Sequence, residues 1–197
     1  MPTAVAIPIE LPAVPVPRRH PITVTEYFRM GETGVLDPQA RVELIEGELI
    51  DMPPIGAPHA SKTNRLLDLL TAAVRGQAIV SVRNPVILGD LSAPEPDLAL
   101  LRYRDDYYVQ AHPRPDDILL LIEVADTSLV HDRNTKLPLY ARFQIPEFWI
   151  LDIPGRHLDC HREPDSGRYT QQFRVHDLSR VGIGAFPGVV LDLRALF

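Results

Sequence analysis

Two carboxylates beside short apolar segments are the residues of this chain best suited to chemistry. Asp97 follows Pro96 at the start of one such segment, and Glu123 lies near the end of the run Ile118 to Val124. That run is typical of a strand buried on both faces, where an ionised Glu costs several kcal/mol unless it is paired or binds a metal. A nearby Asp raises this cost, because like charges repel strongly in a dry site, and a divalent cation is the usual remedy. The two side chains therefore predict metal-assisted chemistry.

The elements that must position these side chains alternate between helix and strand. Capping-box spacing places a helix start at Thr23, and two strand-like runs around Glu46-Gly47 predict a tight N-terminal β-hairpin at 41–45 and 48–52. Further strands are predicted at 78–83, 86–88, 97–101, 118–124, 148–153, 157–162 and 169–175, and helices at 59–74 and from about 129 to 143. This alternation predicts an α/β fold with a central mixed β-sheet flanked by helices.

Composition sets the broad class of the protein. The 197 residues are 45% hydrophobic and 23% charged, which is ordinary for a globular protein. A single cysteine, Cys160, excludes an intrachain disulfide and fits the cytoplasm, and no apolar run is long enough to span a membrane. Residues 1–21 hold six prolines and are interpreted as a flexible leader before a single domain at 22–197. The net charge of −6 counts against a dedicated nucleic-acid binder, which usually has a basic face.

Short motifs in a fixed order carry a family resemblance. Pro96-Asp97 and Glu123, followed by a lysine, resemble the PD-(D/E)XK nuclease superfamily, whose lysine comes two residues after the Glu. This chain has Ala125 there, and Lys136 in the following helix is the expected replacement. A longer series resembles the Uma-two family of restriction-endonuclease-like proteins over roughly residues 22 to 195. The series comprises residues 41–49, Pro58-His59, 96–99, 122–124 with Ser128, Asp132, 136–141 and 145–150.

The resemblance implies a restriction-endonuclease-like fold and a Mg²⁺-dependent (or Mn²⁺-dependent) endonuclease that hydrolyses DNA phosphodiester bonds, acting as a homodimer. Asp97 and Glu123 would hold the ion, with the backbone carbonyl of Val124 as a further ligand. Lys136 would orient the attacking water or stabilise charge in the transition state. Glu43, on the N-terminal hairpin, would be a helper carboxylate.

His59 and several aromatic residues have weaker signals. His59, at a helix N-terminus, would contact phosphate or relay a proton, or would simply begin the helix. Tyr103, Tyr107 and Tyr108 could stack on bases, cover the core edge or form a subunit interface.

Each proposed site residue also has an ordinary structural alternative. Asp97 could cap a turn, Glu123 could form a structural salt bridge with Lys136, and Lys136 alone could be a solvated helix residue. Glu43 could lie on an exposed strand, although Glu46 and Glu48 flank the turn and should face solvent.

Two other functions stay open from the sequence. One is a catalytically silent nucleic-acid-binding or regulatory module, and the other is a metal-dependent phosphohydrolase acting on a smaller substrate. A closed pocket around the carboxylates would favour the smaller substrate, and a basic groove would favour nucleic acid. The residues expected to supply that groove are Lys62, Arg65, Arg102, Arg104, Arg133 and Arg142.

Overall fold

The computed structural model describes residues 19–37 and 39–197. The proline-rich leader predicted at 1–21 lies outside these residues, except for its last three positions, so its flexibility stays a prediction. The elements, in chain order, are α1 (Val24–Glu32), β1 (Val42–Ile45), β2 (Glu48–Asp51), α2 (Ala57–Ala73), β3 (Ala78–Val82), β4 (Leu98–Arg102), β5 (Ile118–Ala125), α3 (Leu129–His131), α4 (Leu137–Arg142), β6 (Glu147–Asp152), β7 (His157–Asp165), β8 (Arg168–Val175), β9 (Val181–Ile183) and β10 (Phe186–Leu191). A π-helical turn, Asp132–Lys136, joins α3 to α4.

Six strands form the central sheet in the order β3-β4-β5-β6-β7-β8. Strands β5 and β6 run parallel, and the other neighbours in this sheet pair antiparallel. A parallel pair needs a crossover connection, and the helical residues 129–142 supply it. The predicted mixed sheet between helices is therefore confirmed.

Alternation along the strands sends side chains to two separate apolar layers. Leu120, Ile122 and Val124 of β5 pack on the layer that contains Leu66 and Leu70 of α2. Leu121 and Ala125 pack on the opposite layer, together with residues of α4. Glu123 lies between Leu121 and Ala125 at every second position of the strand, so its side chain must lie on the α4 side of the sheet.

The N-terminal β-hairpin is present as predicted. β1 pairs antiparallel with β2, and Glu46 and Gly47 have φ values of 49° and 81°. Positive φ at both central residues is the signature of the type I′ turn that two-residue hairpins favour. A backbone bridge between Leu44 and Ala93 joins the hairpin to the rest of the domain.

The strand predicted at 86–88 is wrong. Val86 and Leu88 are buried, but their N–H groups bond to the carbonyls of Pro94 and Ser92 in a loop. Pro85 and Pro94 lack N–H donors and Gly89 turns the chain with a φ of 69°, so a strand cannot extend through this segment.

The helix expected to end near residue 143 is confirmed, with a π turn in its middle and Pro138 in the first turn of α4. A capping box at Thr23 confirms the start of α1. Within the described residues, no helix is both long enough and apolar enough to cross a membrane.

Candidate active site

Strand register brings Asp97 and Glu123 side by side. Leu98 pairs with Ile122 in the antiparallel β4–β5 ladder, so the next position outward places Asp97 beside Glu123 on the same face. One carboxylate oxygen of Asp97, Oδ2, accepts a hydrogen bond of 2.9 Å from the backbone N–H of Val124. The two carboxylates on which the metal prediction depends therefore do share one site.

Glu123 is held by two side chains from the helical segment that follows its strand. Its Oε1 accepts hydrogen bonds from Lys136 Nζ at 3.0 Å and from the Tyr140 hydroxyl at 2.9 Å. Asp132, Lys136 and Tyr140 follow one another at intervals of four residues, a spacing that keeps them on one face of a helix. That spacing was available in the sequence and could have identified Tyr140 and Asp132, which the sequence analysis missed as site residues.

Glu43 reaches the same lysine from β1. Its Oε2 lies 3.1 Å from Lys136 Nζ and also accepts a hydrogen bond of 3.1 Å from the backbone N–H of Glu95. The ring of His131 lies beside it, with Nε2 3.5 Å from Oε1. Among the three glutamates around the hairpin turn, Glu43 is thus the one in the site.

The other two glutamates of the hairpin face away from the site, as expected. Glu46 accepts a hydrogen bond of 2.7 Å from Arg142, and Glu48 pairs with Arg19.

His59, in the first turn of α2, contacts the carboxylate of Asp97. Its Nε2 lies 2.9 Å from Asp97 Oδ2, and its Nδ1 lies 3.3 Å from an Nη2 of Arg83. A guanidinium group only donates, so Nδ1 is the acceptor and Nε2–H donates to Asp97. The structure therefore places His59 on Asp97, where it orients the carboxylate.

Arg83 is a site residue that the sequence analysis did not find. It follows β3 with a φ of 50°, an uncommon conformation for a residue with a side chain, and its Nε lies 3.5 Å from Asp97 Oδ1. The buried Nε has no hydrogen-bond partner in the part of the chain that the structure describes. No spacing or composition signal marks this arginine, because the turn after β3 decides where it points.

The pKa values in the site follow from burial and from the single lysine. Burial raises the pKa of Glu123 well above its ordinary value, although Lys136 opposes the shift. Burial alone lowers the pKa of Lys136, but Glu123 and Glu43 raise it above its ordinary value, so the lysine stays charged. Burial also raises the pKa of Glu43, but His131 and Lys136 outweigh it and lower that pKa, so Glu43 is ionised.

A cavity of about 500 Å³ surrounds these groups and has a strongly acidic lining. Seven carboxylate side chains line it, against the three cations Arg41, Arg83 and Lys136 and two histidines. The six basic residues expected to form a nucleic-acid groove are not among the lining residues. Excess negative charge of this kind favours a bound cation.

The donor set fits a hard divalent ion such as Mg²⁺. Among the described residues, no three His, Cys, Asp or Glu side chains are arranged to hold a metal together. The ammonium group of Lys136 lies 3.1 Å from Glu43 and 3.0 Å from Glu123. Asp97 and Glu123 stay adjacent, and two carboxylates with retained water are a usual site for Mg²⁺.

Comparison with known proteins gives one family and one fold. The model of the Uma2 (Uma-two) family, described as "Putative restriction endonuclease", matches residues 24–194. The chain is similar to a crystal structure described as a putative nuclease belonging to DUF820 from Anabaena variabilis ATCC 29413, with a TM-score of 0.67 and 15% identity, covering 90% of this chain and 98% of that chain. At this identity the likeness shows the fold alone. A search of curated proteins finds no match.

Proposed function

The chain belongs to the Uma2 family of putative restriction endonucleases, and from this premise we propose that it is a Mg²⁺- or Mn²⁺-dependent endonuclease that hydrolyses DNA phosphodiester bonds. The observation that carries the proposal is the arrangement of Asp97, Glu123, Glu43 and the buried Lys136 around one cavity. A purely structural salt bridge would need only one carboxylate partner for the lysine. Here several carboxylates share one lysine, and the surplus negative charge favours a further cation.

The metal would be held by Asp97 and Glu123, with the carbonyl of Val124 as a further ligand. A bound divalent ion polarises the phosphodiester and lowers the pKa of the attacking water. The N–H of Val124 and the ring of His59 fix the orientation of Asp97. Tyr140 and Lys136 do the same for Glu123.

Lys136 acts as a cation and not as a base. Its pKa is raised above the ordinary lysine value by Glu123 and Glu43, against the effect of burial, so it carries no lone pair with which to accept a proton. A protonated ammonium in a dry site stabilises negative charge that develops on phosphate oxygens and donates a hydrogen bond to the attacking water. Glu43 keeps this ammonium charged and in place.

A phosphohydrolase acting on a smaller substrate is the second candidate. The observation in its favour is the bounded, acidic cavity, which lacks the six basic residues expected for a nucleic-acid groove. The third possibility, a silent binding or regulatory module, has no separate observation in its favour, since the acidic residues and the lysine are present and adjacent.

Cleavage assays with matched variants test the proposal. Wild type is incubated with single-stranded DNA and with plasmid DNA in Mg²⁺ or Mn²⁺, beside Glu123→Gln, Asp97→Asn and Glu43→Gln. We expect each variant to lose about 10²-fold or more in rate, as when an electrostatic group of an active site is removed.

Glu48→Gln is the control for these assays, because Glu48 is an exposed glutamate of the same hairpin, and it should cut like wild type. Equal cutting by wild type and Glu123→Gln would identify a contaminant, and absence of cutting by wild type would contradict the proposed function.

Assembly as a homodimer and location in the cytoplasm are further parts of the proposal. Tyr103 and Tyr107 are 44% and 65% exposed, on the loop after β4, at the end of that strand away from Asp97. Tyr108 instead donates to the carbonyl of Arg102 and stacks against Arg104. Exposed aromatic residues are enriched at subunit interfaces, and analytical ultracentrifugation of wild type and Tyr107→Ser would show whether the loop joins two copies.

A further inference from the structure

The acidic residues line a cavity and are themselves little exposed, and this limits the substrate. The side chains of Asp97 and Glu123 are 14% and 5% exposed. The cavity volume of about 500 Å³ falls within the range of roughly 300–1,000 Å³ that encloses one small ligand. A single strand can bend one phosphodiester towards carboxylates that are this little exposed, whereas a duplex would have to distort to do so.

The rim of the cavity is held from both sides. Residues 52–56 form one side, and the guanidinium of Arg41 donates to the carbonyl of Pro53 at 2.7 Å, which fastens this loop to the start of β1. A Cβ atom added at Gly56 would lie 3.9 Å from an oxygen of Asp126, on the opposite side. The two loops that carry Gly56 and Asp126, both of which line the cavity, therefore lie close together at this point.

The lining of the cavity has one apolar side and one polar side. The apolar wall consists of Ile50, Met52, Pro53, Pro54 and Ile55. The polar side carries the carboxylates and the partly exposed Arg83, whose Nε lies 3.5 Å from Asp97. An apolar wall suits the face of a base or a sugar, and a guanidinium suits a phosphate.

Three of the six basic residues expected in a nucleic-acid groove are already paired with carboxylates. Arg133 donates to Asp159, Arg142 to Glu46 and Arg104 to Asp106, each at 2.7 Å. Duplex binders generally neutralise several backbone phosphates with free cations. These three arginines are therefore not free to neutralise duplex phosphates, whereas the cavity offers contacts to a single nucleotide unit.

We propose that the substrate of this site is an unpaired nucleic-acid strand, one phosphodiester of which enters the cavity while the adjoining base lies on the apolar wall and Arg83 contacts the flanking phosphate. This inference rests on the proposed nuclease function and specifies its substrate class. A paired base cannot reach the wall without leaving its partner, and that step costs a few kcal/mol in a duplex but little in a single strand.

The test uses four substrates with the full chain and Mn²⁺ or Mg²⁺. They are bis(p-nitrophenyl) phosphate, an end-labelled single-stranded DNA oligonucleotide, its blunt duplex, and the same duplex with an unpaired overhang. We expect the single strand to be cut at least tenfold faster than the blunt duplex, and the overhang substrate to be cut within its unpaired part. Ile55→Ala should raise the KM for the single strand. Val109 is an exposed residue on the loop after β4, and Val109→Ala should change neither the hydrolysis of bis(p-nitrophenyl) phosphate nor the cutting of the single strand.

The outcomes separate this inference from the function on which it rests. Suppose that the protein hydrolyses bis(p-nitrophenyl) phosphate. Equal cutting of the single strand and the blunt duplex, or no cutting of any oligonucleotide, would then overturn the proposed substrate class alone. Failure of folded wild type to hydrolyse any of the four substrates would overturn the proposed function and the inference together.

Discussion

Lys136 is the residue on which the candidate site most depends. Its ammonium lies 3.0 Å from Glu123 and 3.1 Å from Glu43, and its side chain is 5% exposed. A buried charge group of this kind tolerates removal of one partner poorly, because the remaining charges stay in a dry environment without compensation. The same lysine therefore affects both the stability of the fold and the chemistry of the candidate active site.

Replacing Lys136 should destabilise the protein as well as inactivate it. For Lys136→Met we expect the free energy of unfolding to fall by about 3–5 kcal/mol, since Glu43 and Glu123 lose their shared cation. For a chain of this size that corresponds to a decrease in Tm of roughly 6–20 °C, measured by circular dichroism. The chain has two lysines, and Lys62→Met, on α2, is the control, for which Tm should change little. Equal Tm values for the two variants would contradict the buried ion-pair account.

At the scale of single elements, the N-terminal hairpin positions Glu43 and is sensitive at its turn. Gly47 has a φ of 81°, and a Cβ atom there would lie 2.5 Å from the Cβ of Pro21. Gly34 has a φ of 74°, and among the described residues no atom lies within 4 Å of the corresponding position. Both glycines thus have a left-handed backbone conformation, but within the part of the chain that the structure describes only Gly47 has close neighbours that an added Cβ atom would meet.

Alanine substitutions at these two glycines distinguish the cost of a left-handed backbone from the cost of a steric clash. Gly34→Ala should lower the free energy of unfolding by about 1 kcal/mol, through the left-handed backbone alone. Gly47→Ala should lower it clearly further, because the added methyl group displaces residue 21 from the hairpin, and nuclease activity should fall as Glu43 shifts. Urea unfolding of both variants gives the comparison. A loss for Gly47→Ala no larger than that for Gly34→Ala would contradict this role of the turn.

A histidine on strand β7 should make the stability of the protein depend on pH. His161 is buried against Phe148 and Tyr169, and within the described residues neither ring nitrogen has a hydrogen-bond partner. Burial lowers its pKa below the ordinary value of about 6.5. Below that pH the unfolded chain therefore binds a proton that the folded chain does not, and stability must decrease as the pH falls towards the lowered folded pKa.

Unfolding measured between pH 7.5 and 5.5 tests this sign. Wild type should lose stability towards pH 5.5, with a slope from His161 of at most about 1.4 kcal/mol per pH unit. His161→Phe should lose less over the same range, because its ring does not titrate. Parallel pH profiles for the two proteins would show that His161 does not titrate differently on folding.

At the scale of the whole molecule, metal binding should appear as added stability. A ligand that binds only the folded state at about 100 times its Kd adds about 2.7 kcal/mol, which corresponds to a rise in Tm of roughly 5–11 °C for a domain of this length. We expect this rise for wild type in saturating Mn²⁺ or Mg²⁺, and its loss in Glu123→Gln and Asp97→Asn. A Tm of wild type that does not respond to either ion would contradict the proposed metal site.

The sequence by itself determined much of the frame of the site. Its periodicities predicted the hairpin, the central strands and the helix after β5, because buried strands and capped helices leave local patterns. The apolar run around Glu123 marked a buried carboxylate, and the motif order pointed to the Uma2 family, which the family match confirms. The hairpin turn favoured Glu43 over Glu46 and Glu48 but left an exposed strand position open for Glu43, and the structure places its carboxylate beside Lys136.

Only the tertiary structure decided how the remaining groups meet. Arg83, His131 and Glu95 approach the site from loops and helix ends, and such contacts between distant segments leave no periodic signal in a sequence. The π turn that precedes α4 directs Lys136 inward, and the loops around Gly56 and Asp126 bound the cavity. The sequence thus supplied the charges, but their common burial in one acidic cavity depends on strand register and loop packing, which are properties of the folded chain.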